Sequence, residues 1–176
     1  MVKNIAPQAA LAYGFLPFII GYFASCFFGI YLFNKSDNPF ISFIGYNFVV
    51  VPFGLIVNLV VSGYDPQLVQ EAMVITGGVT GLMMILGSMF PQFFQKIAGA
   101  LTIALISVII IELIAISFFG GSPAIIDWIV VLIFCGYIGY DWGRANQIPK
   151  TYDNAVDSAA ALYMDIINLF LRILRI

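Results

Sequence analysis

Long apolar runs, separated by short segments rich in proline, glycine and asparagine, dominate the sequence. Residues 9–33 and 40–63 contain no Lys, Arg, Asp or Glu, and each run is long enough for a helix to cross a bilayer. No run alternates polar and apolar residues at strand length, and in lipid the backbone must be hydrogen-bonded within each span. The sequence therefore predicts an all-α integral membrane protein, a helical bundle rather than a barrel.

Six transmembrane helices are predicted, and they form a single domain over residues 1–176. Proline or glycine punctuates each boundary between the runs, where such residues end helices and begin turns. The fourth predicted span contains one charged residue, and the last two spans contain several. The predicted spans are residues 9–33, 40–63, 72–90, 97–119, 123–148 and 157–176.

The composition excludes several classes of protein. Hydrophobic residues make up 62% of the chain and charged residues only 9%, whereas a soluble domain carries about 25% charged residues. With a net charge of −2 and no basic cluster, nucleic acid is not expected as a partner, and the lipid bilayer is. The chain has no His and no CxxC motif, so Cys26 and Cys135 are interpreted as small buried hydrophobes, and no cofactor is expected.

Carboxylates within the predicted spans are the most informative residues, because a charge at bilayer depth costs about 2.5 kcal/mol or more. Three stand out: Glu112, Asp141 and Asp165. Glu112 lies well inside the fourth span, where it would line a pore, bond to a neighbouring helix or carry a permanent proton. The residue pattern leaves these three roles open.

Asp141 and Asp165 are predicted to meet across a helical hairpin. If one helix ends near residue 149 and the next begins near 157, each Asp lies about 12 Å from its helix end. Two carboxylates within about 4 Å repel by roughly 4 kcal/mol at an effective dielectric near 20, so the pair would keep one proton up to about neutral pH. Once both ionise, they would repel each other and bind a divalent cation such as calcium transiently. The alternative is that each Asp is solvated, with Arg144 near Asp141 and Arg172 near Asp165.

The C-terminal third resembles the Bax inhibitor family. The resemblance rests on the Gly139-Tyr140-Asp141 step and on the run LYMDIINLFLRILRI at residues 162–176, with a weaker match over residues 71–101. It implies a helical bundle with a central pore, a slow calcium leak, and Asp141 and Asp165 as a pH-sensitive pair. It also implies a multi-pass protein in the plasma membrane of a prokaryote.

Two features depart from the family pattern. The better-known bacterial relatives have seven spans, and this chain has six predicted spans. The family also places an acidic and a basic residue on an early helix, whereas the first two spans here are uncharged. Arg144 is the candidate substitute for the missing basic partner of the pair, and Arg172 is a second candidate modulator.

Three functions fit the sequence to different degrees. The first is a pH-sensitive passive calcium leak channel gated by Asp141 and Asp165. The second is a non-conducting regulatory protein that modulates a membrane protease or a cell-death or stress partner. The third, an intramembrane aspartyl protease, is disfavoured because those enzymes carry a Gly-x-Gly-Asp step, and Asp165 instead follows Leu-Tyr-Met. No catalytic residue is expected.

Overall fold

The computed structural model describes residues 15–35, 39–119, 121 and 123–176. Within these ranges the chain forms six α-helices and no strand, so the predicted all-α fold is confirmed. We number the helices in chain order: α1 is Phe15–Lys35, α2 is Pro39–Val61, α3 is Pro66–Met89, α4 is Pro91–Phe119, α5 is Ala124–Gln147 and α6 is Tyr152–Arg175.

Several helices begin earlier than the apolar runs that predicted them. Helices α2, α3 and α4 each have proline as their first residue, a position where its fixed φ and its missing N–H cost nothing. The first turns of α3 and α4 mix proline and glutamine with apolar residues, so a prediction from hydropathy alone places their starts about six residues too late. The predicted first span falls partly outside the described residues, since α1 is described from Phe15 onward.

Four of the described helices are long and apolar enough to cross a membrane on their own, and they correspond to α2, α3, α4 and α5. Helix α4 leaves a row of large apolar side chains exposed, including Ile103, Ile106, Ile110 and Leu113. In a protein of this composition such a surface faces lipid rather than water.

Helix α6 differs from these four because it carries five charged residues along 24 positions. From residue 161 to residue 174, none of its side chains is exposed. Charged groups within a membrane protein face the interior of the bundle because lipid cannot solvate them. The most polar helix is therefore also an enclosed one, and its polar groups have protein neighbours.

The described chain divides into two compact units. One contains the described part of Met1–Val69 with Lys150–Ala160, and the other contains Gln70–Pro149 with Ala161–Ile176. We call them unit 1 and unit 2.

In unit 1, α1 and α2 pack closely through small residues. A Cβ added at Gly29 would collide with the α2 backbone, and the Ser25 hydroxyl donates a 2.7 Å hydrogen bond to the Phe48 carbonyl oxygen. The fully buried Ser42 hydroxyl donates to the Asp153 carboxylate at the start of α6. Ser25 and Gly29 therefore mediate the packing of α1 against α2.

Helix α3 carries glycines at 77, 81 and 87, and only one of these three lies close to another described helix. A Cβ at Gly77 or Gly81 would meet nothing within 4 Å among the described residues. The close approach occurs at Gly87, where an added Cβ would collide with the Gly139 carbonyl of α5. A Cβ at Gly143 would likewise lie 2.9 Å from the Gly87 carbonyl oxygen. Glycine spacing in the sequence therefore does not show which face of a helix meets its neighbour.

The core of unit 2 is built mainly from α5. Helix α5 contacts α4, and side chains from α4 and α6 complete one apolar cluster. Its buried members are Val108, Ile126, Val130, Val131, Ile133, Phe134, Ile138, Leu162 and Leu169.

Candidate functional site: a carboxyl pair and an ion-pair cluster

The structure brings Asp141 of α5 and Asp165 of α6 together within unit 2. Their carboxyl groups lie within hydrogen-bonding distance of each other. Asp165 is buried at 8% exposure, and its Oδ2 receives no hydrogen bond from the described residues. Two ionised carboxylates have no donor between them, so a proton held on either residue would supply the missing hydrogen bond.

The two residues do not meet for the reason that the sequence suggested. Helix α5 ends at Gln147 and α6 begins at Tyr152, so Asp141 lies six residues from its helix end and Asp165 thirteen. The prediction of equal depth assumed a later start of α6, and that boundary was wrong. The contact depends on which faces the two helices turn toward each other, which residue counting does not determine.

Arg144 lies one helical turn beyond Asp141 on the same helix, and its positive charge acts on the Asp141 carboxyl group. The Arg144 residue itself is exposed. An exposed guanidinium is partly screened, so it biases the pair without neutralising it as a buried partner would. Its placement fits the modulating role proposed for it, which remains a prediction.

Helix α5 is tied to its neighbours by polar bonds on both sides of the pair. The Trp142 indole Nε1 donates a 2.9 Å hydrogen bond to the Ser88 hydroxyl of α3. The Tyr137 hydroxyl donates a 3.0 Å hydrogen bond to the Thr102 hydroxyl of α4. These hydrogen bonds, together with the glycine contact between α3 and α5, fix the position of α5, the helix that carries Asp141.

A second charged group lies near the C-terminus of α6, and we call it the ion-pair cluster. It consists of Glu112 of α4, Asp127 of α5, and Arg172 and Arg175 of α6. Arg172 donates to Glu112 Oε2 at 2.7 Å and to Asp127 Oδ1 at 2.8 Å. Arg175 reaches Glu112 Oε1 at 2.9 Å and Asp127 Oδ2 at 3.3 Å. Two cations and two anions thus neutralise one another and join three helices.

The contacts within the ion-pair cluster show which of the predicted partners Arg172 and Glu112 have. Arg172 binds Glu112 and Asp127, so the alternative that places it against Asp165 does not describe the structure. Glu112 bonds to a neighbouring helix, one of the three roles left open for it. Asp127 was not among the predicted site residues, although its side chain is only 5% exposed. The signal for it was available, since a carboxylate in an apolar span needs either a proton or a cation, and two arginines lie near the end of the last helix.

Comparison with known proteins gives a consistent result over the whole chain. Residues 1–176 match the family described as "Inhibitor of apoptosis-promoting Bax1". The chain belongs to the Bax inhibitor family. A Helicobacter pylori protein named only as uncharacterized is 31% identical over 175 residues, which covers 96% of this chain and 73% of the relative. The resemblance predicted from the C-terminal third is therefore confirmed.

Named relatives occur in eukaryotes and bacteria. "Bax inhibitor 1" of Schizosaccharomyces pombe is 33% identical over 129 residues, covering 70% of this chain and 47% of that protein. The "Inner membrane protein YbhL" of Escherichia coli is 27% identical over 135 residues, covering 70% of this chain and 57% of that protein. No protein of solved structure is significantly similar to the chain. Family and helices together show a multi-pass membrane protein of the Bax inhibitor family.

Proposed function

We propose that this family member is a pH-sensitive passive calcium leak channel in the plasma membrane of a prokaryote. The observation that supports this most is the contact between the Asp141 and Asp165 carboxyl groups on two different helices of an apolar core. Burying two like charges in contact is unfavourable unless one of them carries a proton. A contact of this kind is stable or unstable according to pH, which is the property that a proton-controlled gate requires.

The gate has two states in this proposal. With one proton shared, the pair joins α5 to α6 and the channel is closed. When the proton leaves, two carboxylates about 4 Å apart repel by roughly 4 kcal/mol at an effective dielectric near 20, a factor of several hundred in an equilibrium. The hydrogen bonds of Trp142 and Tyr137 hold α5, so the repulsion displaces α6.

Calcium is the proposed permeant ion, and the pair would bind it transiently. Calcium takes six to eight oxygen ligands in a storage site, whereas the pair offers two carboxyl groups. Within the ranges that the structure describes, no group of three or more potential metal-ligating side chains lies together. A small number of anionic ligands suits passage, because conduction requires binding that is weak enough for the ion to leave.

The test is calcium efflux from proteoliposomes between pH 5 and pH 8. We expect the leak of the unmodified protein to rise with pH, since deprotonation opens the gate. Asp141→Asn and Asp165→Asn each remove the shared titration, so the leak should lose its pH dependence. Glu71→Gln is the matched control, because Glu71 is an exposed carboxylate on α3 and its replacement should leave the profile unchanged. An unaltered pH profile in both Asn variants would reject the gate.

A second candidate function is regulation of a partner protein without conduction. The description of the matching family and the name of the yeast relative both speak of inhibition rather than transport. In that case the pair would set a binding conformation, and the partner would be a membrane protease or a cell-death or stress protein. Absence of calcium flux from the purified protein, together with a stably co-purifying membrane protein, would favour this function over the channel.

A further inference from the structure

The carboxyl pair and the ion-pair cluster lie at opposite ends of one face of α5. Asp127 and Asp141 occupy the ends of this face, and positions 130, 134 and 138 recur between them at helical spacing. The intervening residues are Val130, Phe134 and Ile138, all of which are buried. Along this face, the structure places two charged groups about 21 Å apart with apolar side chains between them.

On α6, too, an apolar side chain lies between a member of the carboxyl pair and a member of the ion-pair cluster, over a shorter distance. Asp165 and Arg172 are separated by seven residues, which is about 10 Å along the helix axis. Leu169 lies between them on the same face, at 0% exposure, and Ile138 of α5 is also at 0% exposure. Both belong to the apolar cluster of unit 2. They are two of the largest side chains in the described chain that are completely buried.

We propose that Leu169 and Ile138 form an apolar seal that closes the ion pathway between the carboxyl pair and the ion-pair cluster. This inference rests on the proposed channel function and names the residues that block conduction in the closed state. Between the two charged groups, the buried side chains of α5 at positions 130, 134 and 138 offer an ion no polar ligand. Apolar constrictions of this kind stop ions because water does not fill them.

The seal and the carboxyl pair are mechanically linked through α6. Leu169 follows Asp165 by one helical turn, so any displacement of Asp165 carries Leu169 with it. Ile138 precedes Asp141 by three residues on α5. This helix is hydrogen-bonded to α3 through Trp142 and to α4 through Tyr137. Repulsion within the pair would therefore move Leu169 relative to Ile138, loosen the apolar cluster that contains both, and admit water. Arg144 lies one helical turn beyond Asp141 on α5, so its positive charge would influence the pH at which this occurs.

The test places a polar side chain of similar size in the seal. Leu169→Asn supplies hydrogen bonds for water, so we expect calcium efflux at pH 5 to increase roughly tenfold, equivalent to about 1.4 kcal/mol. Ile138→Asn should have the same effect from the opposite helix, and Leu169→Met should keep the seal closed because it preserves size and polarity. Leu162→Asn is the matched control, since Leu162 is 9% exposed on the same helix but lies on the other side of Asp165 from the ion-pair cluster.

The outcomes separate this inference from the channel itself. Thermal unfolding in detergent first establishes that each variant is folded. One folded variant, either Leu169→Asn or Ile138→Asn, is sufficient for the test. If the unmodified protein leaks with a pH dependence, but folded Leu169→Asn or Ile138→Asn leaks at pH 5 no faster than Leu162→Asn, the seal is wrong and the channel stands. Absence of calcium flux from the unmodified protein at every pH would overturn both.

Discussion

Replacement of Arg172 by glutamine is expected to destabilise unit 2 more than any other single change in the ion-pair cluster. Arg172 hydrogen-bonds to both carboxylates of the cluster, Glu112 and Asp127, at 2.7 and 2.8 Å. Its side chain is 22% exposed, and the two carboxylates are 12% and 5% exposed. Removing the cation leaves two nearly buried anions with only Arg175 to neutralise them.

The magnitude follows from breaking a buried ion pair by removal of one partner, which costs about 3–5 kcal/mol. For a chain of this length, 1 kcal/mol shifts the midpoint of thermal unfolding by about 2–4 °C. Arg172→Gln should therefore lower the midpoint by about 6–20 °C, measured by thermal unfolding of the purified protein in detergent. Arg175→Gln should cost less, because Arg175 is 38% exposed and water screens its charge.

A double-mutant cycle with Glu112→Gln tests the pairing itself. Residues in one ion-pair network couple by about 0.5–3 kcal/mol, so Glu112→Gln together with Arg172→Gln should be less destabilising than the two separate costs added together. Strictly additive costs, or equal effects of Arg172→Gln and Arg175→Gln, would refute the reasoning that Arg172 is the buried centre of the cluster.

Two further predictions concern the packing of α5. Gly87→Ala should lower the unfolding midpoint because the added methyl collides with the Gly139 backbone, whereas Gly81→Ala meets open space and should be tolerated; equal effects of the two changes would contradict the contact between α3 and α5. Trp142→Phe removes the hydrogen bond to Ser88 and should cost about 1 kcal/mol in thermal unfolding, and adding Ser88→Ala should cost little more; a fully additive second loss would contradict the bond.

Hydropathy was sufficient to predict the fold class and the presence of the six helices that the structure describes. Apolar runs bounded by prolines mark where helices exist, because lipid forces each span to satisfy its own backbone. The same signal is weak at helix ends, as the early starts at Pro66 and Pro91 show. A first turn that mixes proline and glutamine with apolar residues does not stand out in a search for long apolar runs.

The carboxyl pair was accessible to prediction, but the ion-pair cluster was only partly so. A carboxylate in an apolar run is costly, so Glu112, Asp141 and Asp165 could be singled out from the sequence alone. The assignment of cations to anions depends on helix rotation, and Arg172 accordingly lies beside Asp127 rather than beside Asp165. Prediction of the apolar face between the two charged groups requires the same knowledge of helix rotation, which a single sequence does not provide.

The central claim is that Asp141 and Asp165 share one proton between α5 and α6. Infrared difference spectroscopy of the protein in membranes, titrated from pH 5 to pH 8, detects a protonated carboxyl group directly through its carbonyl stretch. We expect one such band to disappear as the pH rises, to be absent from the Asp141→Asn/Asp165→Asn double variant, and to persist in Glu71→Gln. A protein without a titrating band, or a band that survives in the double variant, would contradict the claim.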